Sequence, residues 1–268
     1  MTQPSSSYTH GHHESVLRSH RWRTAENSAA YLLPVLRPGM TVLDVGAGPG
    51  TITADLAARV APGQVTATEI SESVLALARA EVATRGLANV TFAVADVHAL
   101  NFPDDSFDVV HAHQVLQHVT DPVQALREMR RVCRPGGFVA ARDGSYSDFA
   151  WTPRPPELDE WLALYLAVAR SNGGEPDAGR HLAGWARAAG FTEVTATSST
   201  WRYDGDDARW WGEMWAERIL SSDMARQAVA RGLAARADLE RLSRAWREWG
   251  SALGASITIP NGEILATA

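Results

Sequence analysis

Seven residues, Asp44-Val45-Gly46-Ala47-Gly48-Pro49-Gly50, are the part of this 268-residue chain best suited to hold a ligand. Glycines at alternate positions let the chain turn sharply, and let backbone approach a ligand where a helix is expected to begin near Thr51. A dinucleotide loop spaces its glycines as Gly-x-Gly-x-x-Gly, which needs glycine at 51; here Thr51 stands there and Gly50 comes one step early. A carboxylate at Asp44, just before the loop, repels a pyrophosphate and suits a ligand carrying ammonium and sulfonium charges. Glu69 follows nineteen residues after Gly50, where an acid can accept both hydroxyls of a ribose. Asp96-Val97 comes next, placed to meet an adenine edge, because ligands gather at the carboxyl ends of parallel strands. Each acid taken singly reads equally well as a solvated loop carboxylate. Their order along the chain points to one ligand.

Groups able to move a proton lie further on, at His113, His118, Asp143 and Tyr146. His118 is the first choice for a general base and Asp143 the second, since a histidine titrates in the range needed to take a proton from a phenol or hydroxyl. The competing reading is that His118 caps or packs its loop. Three histidines, His10, His12 and His13, sit beside Gly11 in a polar arm with no spacing to further ligands, so no metal site is expected. Trp210, Trp211 and Trp215 fall on adjacent helical turns and serve either as core or as an aromatic lid over a flat acceptor.

Such groups need a scaffold that brings strand ends together. Short apolar runs alternate with helical patterns from about residue 40 to 142, the mark of consecutive βαβ units in a parallel sheet. Strands are expected at Thr41–Val45, Gln64–Glu69, Val90–Ala95, Asp108–Ala112 and Phe138–Arg142. The helix before the fifth strand has readable ends: Asp121 as N-cap, Pro122 in the first turn, Gln124 completing a capping box, and Arg134-Pro135-Gly136-Gly137 as the stop. Helical segments are expected at Glu14–Leu36, Glu157–Arg170, Gly179–Ala189 and Asp206–Leu253. A strand at Glu193–Tyr203 precedes the last of these, and a final strand, Ala255–Pro260 with Glu263–Thr267, folds around Pro260-Asn261-Gly262 as a turn.

Composition narrows the partners. The chain is 45% hydrophobic and 21% charged, with no apolar stretch long enough to span a bilayer. All 25 basic residues are arginine and the net charge is -6, which excludes Schiff-base chemistry on lysine and disfavours nucleic acid. A single cysteine, Cys133, excludes an internal disulfide and cysteine-built metal centres. No secretory leader is readable, so a cytoplasmic protein is expected.

The stretch from Val42 to Arg142 resembles the class I S-adenosylmethionine-dependent methyltransferases of the UbiE-like small-molecule type. The resemblance is carried by Val42–Thr51, Glu69, Ala95-Asp96-Val97, Phe107–Val119 and Leu126–Gly137. It implies an α/β, Rossmann-like, seven-stranded and mostly parallel sheet with an antiparallel last strand, helices on both faces, an N-terminal helical arm and a helical lid insertion. By the same resemblance Asp44, Gly46, Ala47, Gly48 and Gly50 cradle the methionine part of S-adenosylmethionine, Glu69 and Ile70 hold the ribose, Asp96 and Val97 face the adenine, and Gln114 lines the site. Tyr8, His20 and Arg23 are expected as lid residues from an arm spanning 1–36, ahead of a catalytic domain at 37–268 with insertions near 150–190 and 205–253. The expected reaction is methyl transfer to O, N, S or C of a small acceptor, yielding S-adenosylhomocysteine, with a homodimer left open. A cofactor-binding protein of other activity and a nicotinamide oxidoreductase are the alternatives.

Overall fold

The computed structural model describes residues 14–268, with side chains from Arg18 onward. Expectations placed on Tyr8, His10, His12 and His13 lie outside the described residues. Five strands, Val42–Val45 (β1), Val65–Glu69 (β2), Val90–Val94 (β3), Phe107–His113 (β4) and Cys133–Gly144 (β5), pair in parallel in the order β3-β2-β1-β4-β5. All four residues of β1 are buried, as a strand covered on both faces requires, and this is why the runs read as continuously apolar. Thr51–Val60 (α3), Glu72–Thr84 (α4) and Pro122–Val132 (α5) make the crossovers. The Asp121 carboxylate accepts the Gln124 N–H at 2.9 Å, but only half of the expected box forms, because the Gln124 amide donates instead to His98 O at 3.2 Å.

Ser256–Thr267 (β8) runs antiparallel between β5 and Val194–Asp204 (β7). Beyond the end of β5, Ala150–Thr152 (β6) continues its line along the same edge of β8. The expected seven-stranded width is present, with β6 as an additional short strand. The turn expected at Pro260-Asn261-Gly262 is absent, for β8 passes straight through it. The Pro260 carbonyl accepts from Ser145 N–H at 3.0 Å, in the gap between the β5 and β6 pairings, where a residue without N–H removes no ladder bond. Gly262 serves close packing: a Cβ there would collide with Gly179 in Ala178–Ala188 (α7).

The arm is not one helix. It divides into Glu14–Arg21 (α1), Ala25–Ser28 (α2) and a 3-10 turn at Leu33–Val35. Thr24 breaks it by capping α2: its hydroxyl accepts Asn27 N–H at 3.2 Å while its own N–H donates to Asn27 Oδ1 at 2.8 Å. The long helical stretch after β7 likewise resolves into Asp206–Ser221 (α8), Asp223–Ala230 (α9) and Arg236–Gly250 (α10). Together with Pro156–Ser171 (α6), α8 and α10 enclose an aromatic core in which Trp161 meets Trp215 and Trp246 at ring distances of 4.5 and 4.8 Å. Among the described residues no helix is long and apolar enough to cross a membrane.

Candidate active site

The carboxyl ends of β1, β2 and β4, the loop after β1, the arm and α8 enclose a large cavity. Gly46 and Gly48 line it, with φ of 68° and 56°, a region that favours glycine. A Cβ on Gly48 would face open space, its nearest neighbour being His20 Nδ1 at 3.9 Å, so the bare backbone is presented to the cavity. Gly50 is a correction. It does not line the cavity; a Cβ there would lie 2.8 Å from Ala78 Cα, so its glycine lets α3 pack against α4.

Glu69, at the end of β2, accepts the N–H of Gly48 at 3.1 Å and of Ile70 at 3.0 Å, while burial pushes its pKa up. Ile70, Asp96, Val97 and Ala47 also line the cavity. Burial raises the Asp96 carboxyl, but hydrogen bonds from His98 N–H at 2.9 Å and Nδ1 at 2.7 Å outweigh it and leave the pKa lowered. Asp44 is at the cavity wall with both oxygens already engaged, by Thr53 Oγ1 at 2.6 Å and His111 Nδ1 at 2.8 Å. Its carboxyl group borders the loop, and protein groups fix its position. Among the described residues no cluster of potential metal ligands occurs.

The floor is a chain of amides. Gln114 has a φ of 58°, unusual outside glycine, and donates to Asn261 Oδ1 at 2.8 Å. Gln117 donates to Gln114 Oε1 at 2.8 Å and to His118 Nε2 at 3.0 Å, and its Oε1 accepts Gly144 N–H at 3.3 Å. His118 reaches the cavity, yet it is poorly equipped as a base: Gln117 occupies its Nε2, and burial beside Arg23 pushes its pKa down to about 3. Asp143 is also corrected. Fully buried and not part of the wall, it accepts Gln117 N–H at 3.1 Å, and burial raises its pKa to about 7. It positions the turn carrying Gln117.

Arg23 and His20 line the cavity from the arm, Trp211 and Trp215 from α8; Trp210 does not line it. Trp201 and Tyr203 of β7 and Arg218 of α8 complete this wall, and spacing along the sequence gave no sign of them. Gln117 was legible only as the second of two glutamines three residues apart, Gln114 and Gln117, which the 3-10 turn Leu116–His118 brings together.

A family model described as a methyltransferase domain matches residues 36–182. The protein C1B3.06c of Schizosaccharomyces pombe, an uncharacterized methyltransferase, is 32% identical over 270 residues, covering 96% of this chain and 95% of that one. The chain belongs to the class I S-adenosylmethionine-dependent methyltransferases. Against the ubiquinone/menaquinone biosynthesis C-methyltransferase UbiE of Shewanella frigidimarina it is 42% identical over 103 residues, which is 38% of this chain and 41% of that protein. The YcgJ protein from Bacillus subtilis shares the fold, with a TM-score of 0.56 at 20% identity over 96% of this chain and 98% of that one.

The methyl donor of this enzyme is S-adenosylmethionine. The residues present fit it. Gly48 leaves no side chain between loop and cavity, and each Glu69 oxygen takes one backbone N–H and keeps capacity for a second bond, which matches a pair of neighbouring hydroxyls.

Proposed function

We propose that this enzyme methylates a small, flat or apolar acceptor at an O, N, S or C atom. The supporting observation is that one cavity is lined both by the glycine loop with Asp44, Glu69 and Asp96 at nearby strand ends and by the aromatic side chains of Trp201, Tyr203, Trp211 and Trp215. When bound, the donor supplies a methyl group activated by its sulfonium. In this reading Gly46, Ala47 and Gly48 hold its methionine part, Glu69 and Ile70 its ribose, Asp96 and Val97 its adenine, and Gln114 closes the floor. Of the arm, the described residues Ser19, His20 and Arg23 roof the acceptor together with Trp211, Trp215 and Arg218 of the 205–253 insertion, while the rest of 37–268 is the scaffold. Positioning the acceptor carries most of the rate gain, in keeping with a His118 too acidic to serve as base near neutrality.

The test is formation of S-adenosylhomocysteine on incubation with S-adenosylmethionine and a panel of small aromatic hydroxyl, thiol, amine and carbon-acid acceptors. Acceptor-dependent S-adenosylhomocysteine is expected. Tight cofactor binding with no such product from any acceptor would assign the site to a reaction other than methylation.

A further inference from the structure

Gln117 lines the cavity while only 3% exposed, and its amide engages three groups at once. Its Oε1 accepts Gly144 N–H at 3.3 Å, and its Nε2 lies 2.8 Å from Gln114 Oε1 and 3.0 Å from His118 Nε2. The oxygen and nitrogen of a side-chain amide are told apart by their partners, so the direction of this chain rests on partners that cannot exchange roles. Two such partners are present. Gly144 N–H can only donate, which makes the Gln117 atom facing it the oxygen. At the far end the Ile259 carbonyl can only accept, which makes its 2.8 Å partner the Nδ2 group of Asn261 and turns Asn261 Oδ1 toward Gln114. Both anchors impose one direction. Gln114 fits between them with its nitrogen toward Asn261 and its oxygen toward Gln117.

His118 ends the chain. The Gln117 nitrogen offers hydrogens and no lone pair, so the ring nitrogen 3.0 Å from it must accept. A neutral imidazole that accepts at Nε2 carries its proton on Nδ1. A second proton, at Nε2, would set one N–H against another. Burial and the charge of Arg23, from the arm, already push the pKa of the ring down to about 3, so the same neutral form is favoured from two directions. Gln117 is held in place by its backbone: Asp143 of β5 accepts its N–H at 3.1 Å, and its carbonyl accepts Glu175 N–H at 3.0 Å.

We propose that Gln117 is a positioning residue of the methyl-transfer site: it locks His118 in the neutral Nδ1–H form, so that this imidazole can donate a hydrogen bond but cannot take the acceptor's proton. The inference deepens the proposed methylation and rests on it for the presence of an acceptor. Which ring nitrogen carries the proton is set by the bond the other one makes, and here Gly144 and Asn261 set that bond in turn through the amides.

Nitrogen-15 NMR of the histidine-labelled protein reads the tautomer directly, with the spectrum of His118→Phe assigning the signals. Wild-type His118 is expected to show a protonated Nδ1 and an unprotonated Nε2, unchanged from about pH 5.5 to 8.5. Gln117→Glu keeps the side-chain length and the acceptor for Gly144 N–H, but turns an acceptor toward His118. In that variant the proton is expected to move to Nε2, and the ring to titrate about 2 units or more above its wild-type position. Gln117→Met, which offers the ring neither donor nor acceptor of that kind, is expected to show both tautomers. A proton on Nε2 in the wild type, titration of wild-type His118 within that range, or an Nδ1–H form kept by Gln117→Glu would overturn the inference. Should Gln117→Glu not fold, Gln117→Met decides: mixed tautomers uphold the lock and an unmixed Nδ1–H form overturns it. The spectra need no acceptor, so failure of every acceptor to yield S-adenosylhomocysteine would overturn the methylation reading and is told apart from failure of the lock.

Discussion

The two ends of the cavity are built by different means. At the donor end, backbone does the shaping: glycines with positive φ form the loop, and Asp44, Glu69 and Asp96 are each fixed by hydrogen bonds to protein groups, to Thr53 and His111, to Gly48 and Ile70, and to His98. At the acceptor end, side chains do it, and they come from distant segments: His113 from β4, Tyr146 after β5, Trp201 and Tyr203 from β7, Trp211, Trp215 and Arg218 from α8. One end is thus a glycine loop with acids at the strand ends, and the other is side-chain packing between the sheet and α8. The two ends should therefore respond separately to substitution.

The largest expected separation comes from Trp161→Ala. Trp161 is fully buried among Trp215, Trp246 and Tyr165, and its removal is expected to destabilise the chain by about 3–5 kcal/mol in urea unfolding. Affinity of the folded variant for S-adenosylhomocysteine should stay within about threefold. Glu69→Ala tests the converse. It is expected to weaken S-adenosylhomocysteine binding about 30- to 100-fold by calorimetry with little change in stability, since the carboxylate is buried at a raised pKa in the free protein. If Trp161→Ala abolished cofactor binding in a folded variant, or Glu69→Ala left it intact, the separation would fail.

Asp143→Asn examines the joint between the two ends. The Asp143 carboxyl titrates at about 7 in the folded chain against 3.8 ordinarily, so the native state holds more protons between those values. Its contribution to stability is complete below about pH 4 and is lost as pH rises through about 7. Stability of the variant relative to the wild type is therefore expected to grow by about 3 kcal/mol from pH 4.5 to 7.5, measured by unfolding at several pH values. His118, lowered to about 3 by burial, has the opposite slope but is present in both proteins and cancels. The smallest effect is expected from Glu217→Gln, which removes the 3.1 Å ion pair with Arg18 between α8 and α1; both side chains are about two-fifths exposed, so the melting shift should correspond to less than about 0.5 kcal/mol. A larger shift would make the contact between arm and α8 a principal fastening of the roof.

The same division explains what the sequence made legible. The parallel strands, their crossovers and the acids at their ends follow from residue type and spacing over short distances, and each lies within a residue or two of its expected place until β5, which begins earlier at Cys133. Gly50 was misread because a glycine needed for helix packing looks the same in sequence as one needed for a ligand. Gly262 was misread in the same way, since Pro260-Asn261-Gly262 has turn composition while α7 demands a bare strand there. Asp143 and Gln117 acquire their roles only when β5 and the turn after β4 meet, a contact of 26 residues' separation that no local pattern announces. Trp201 and Arg218 belong to the wall through tertiary packing alone.

The donor end carries the central claim, and thermal melting with S-adenosylhomocysteine and with NADH tests it most directly. S-adenosylhomocysteine is expected to raise the melting temperature in a saturable way that Glu69→Ala removes, with NADH giving no shift. Stabilisation by NADH with S-adenosylhomocysteine silent would contradict the account.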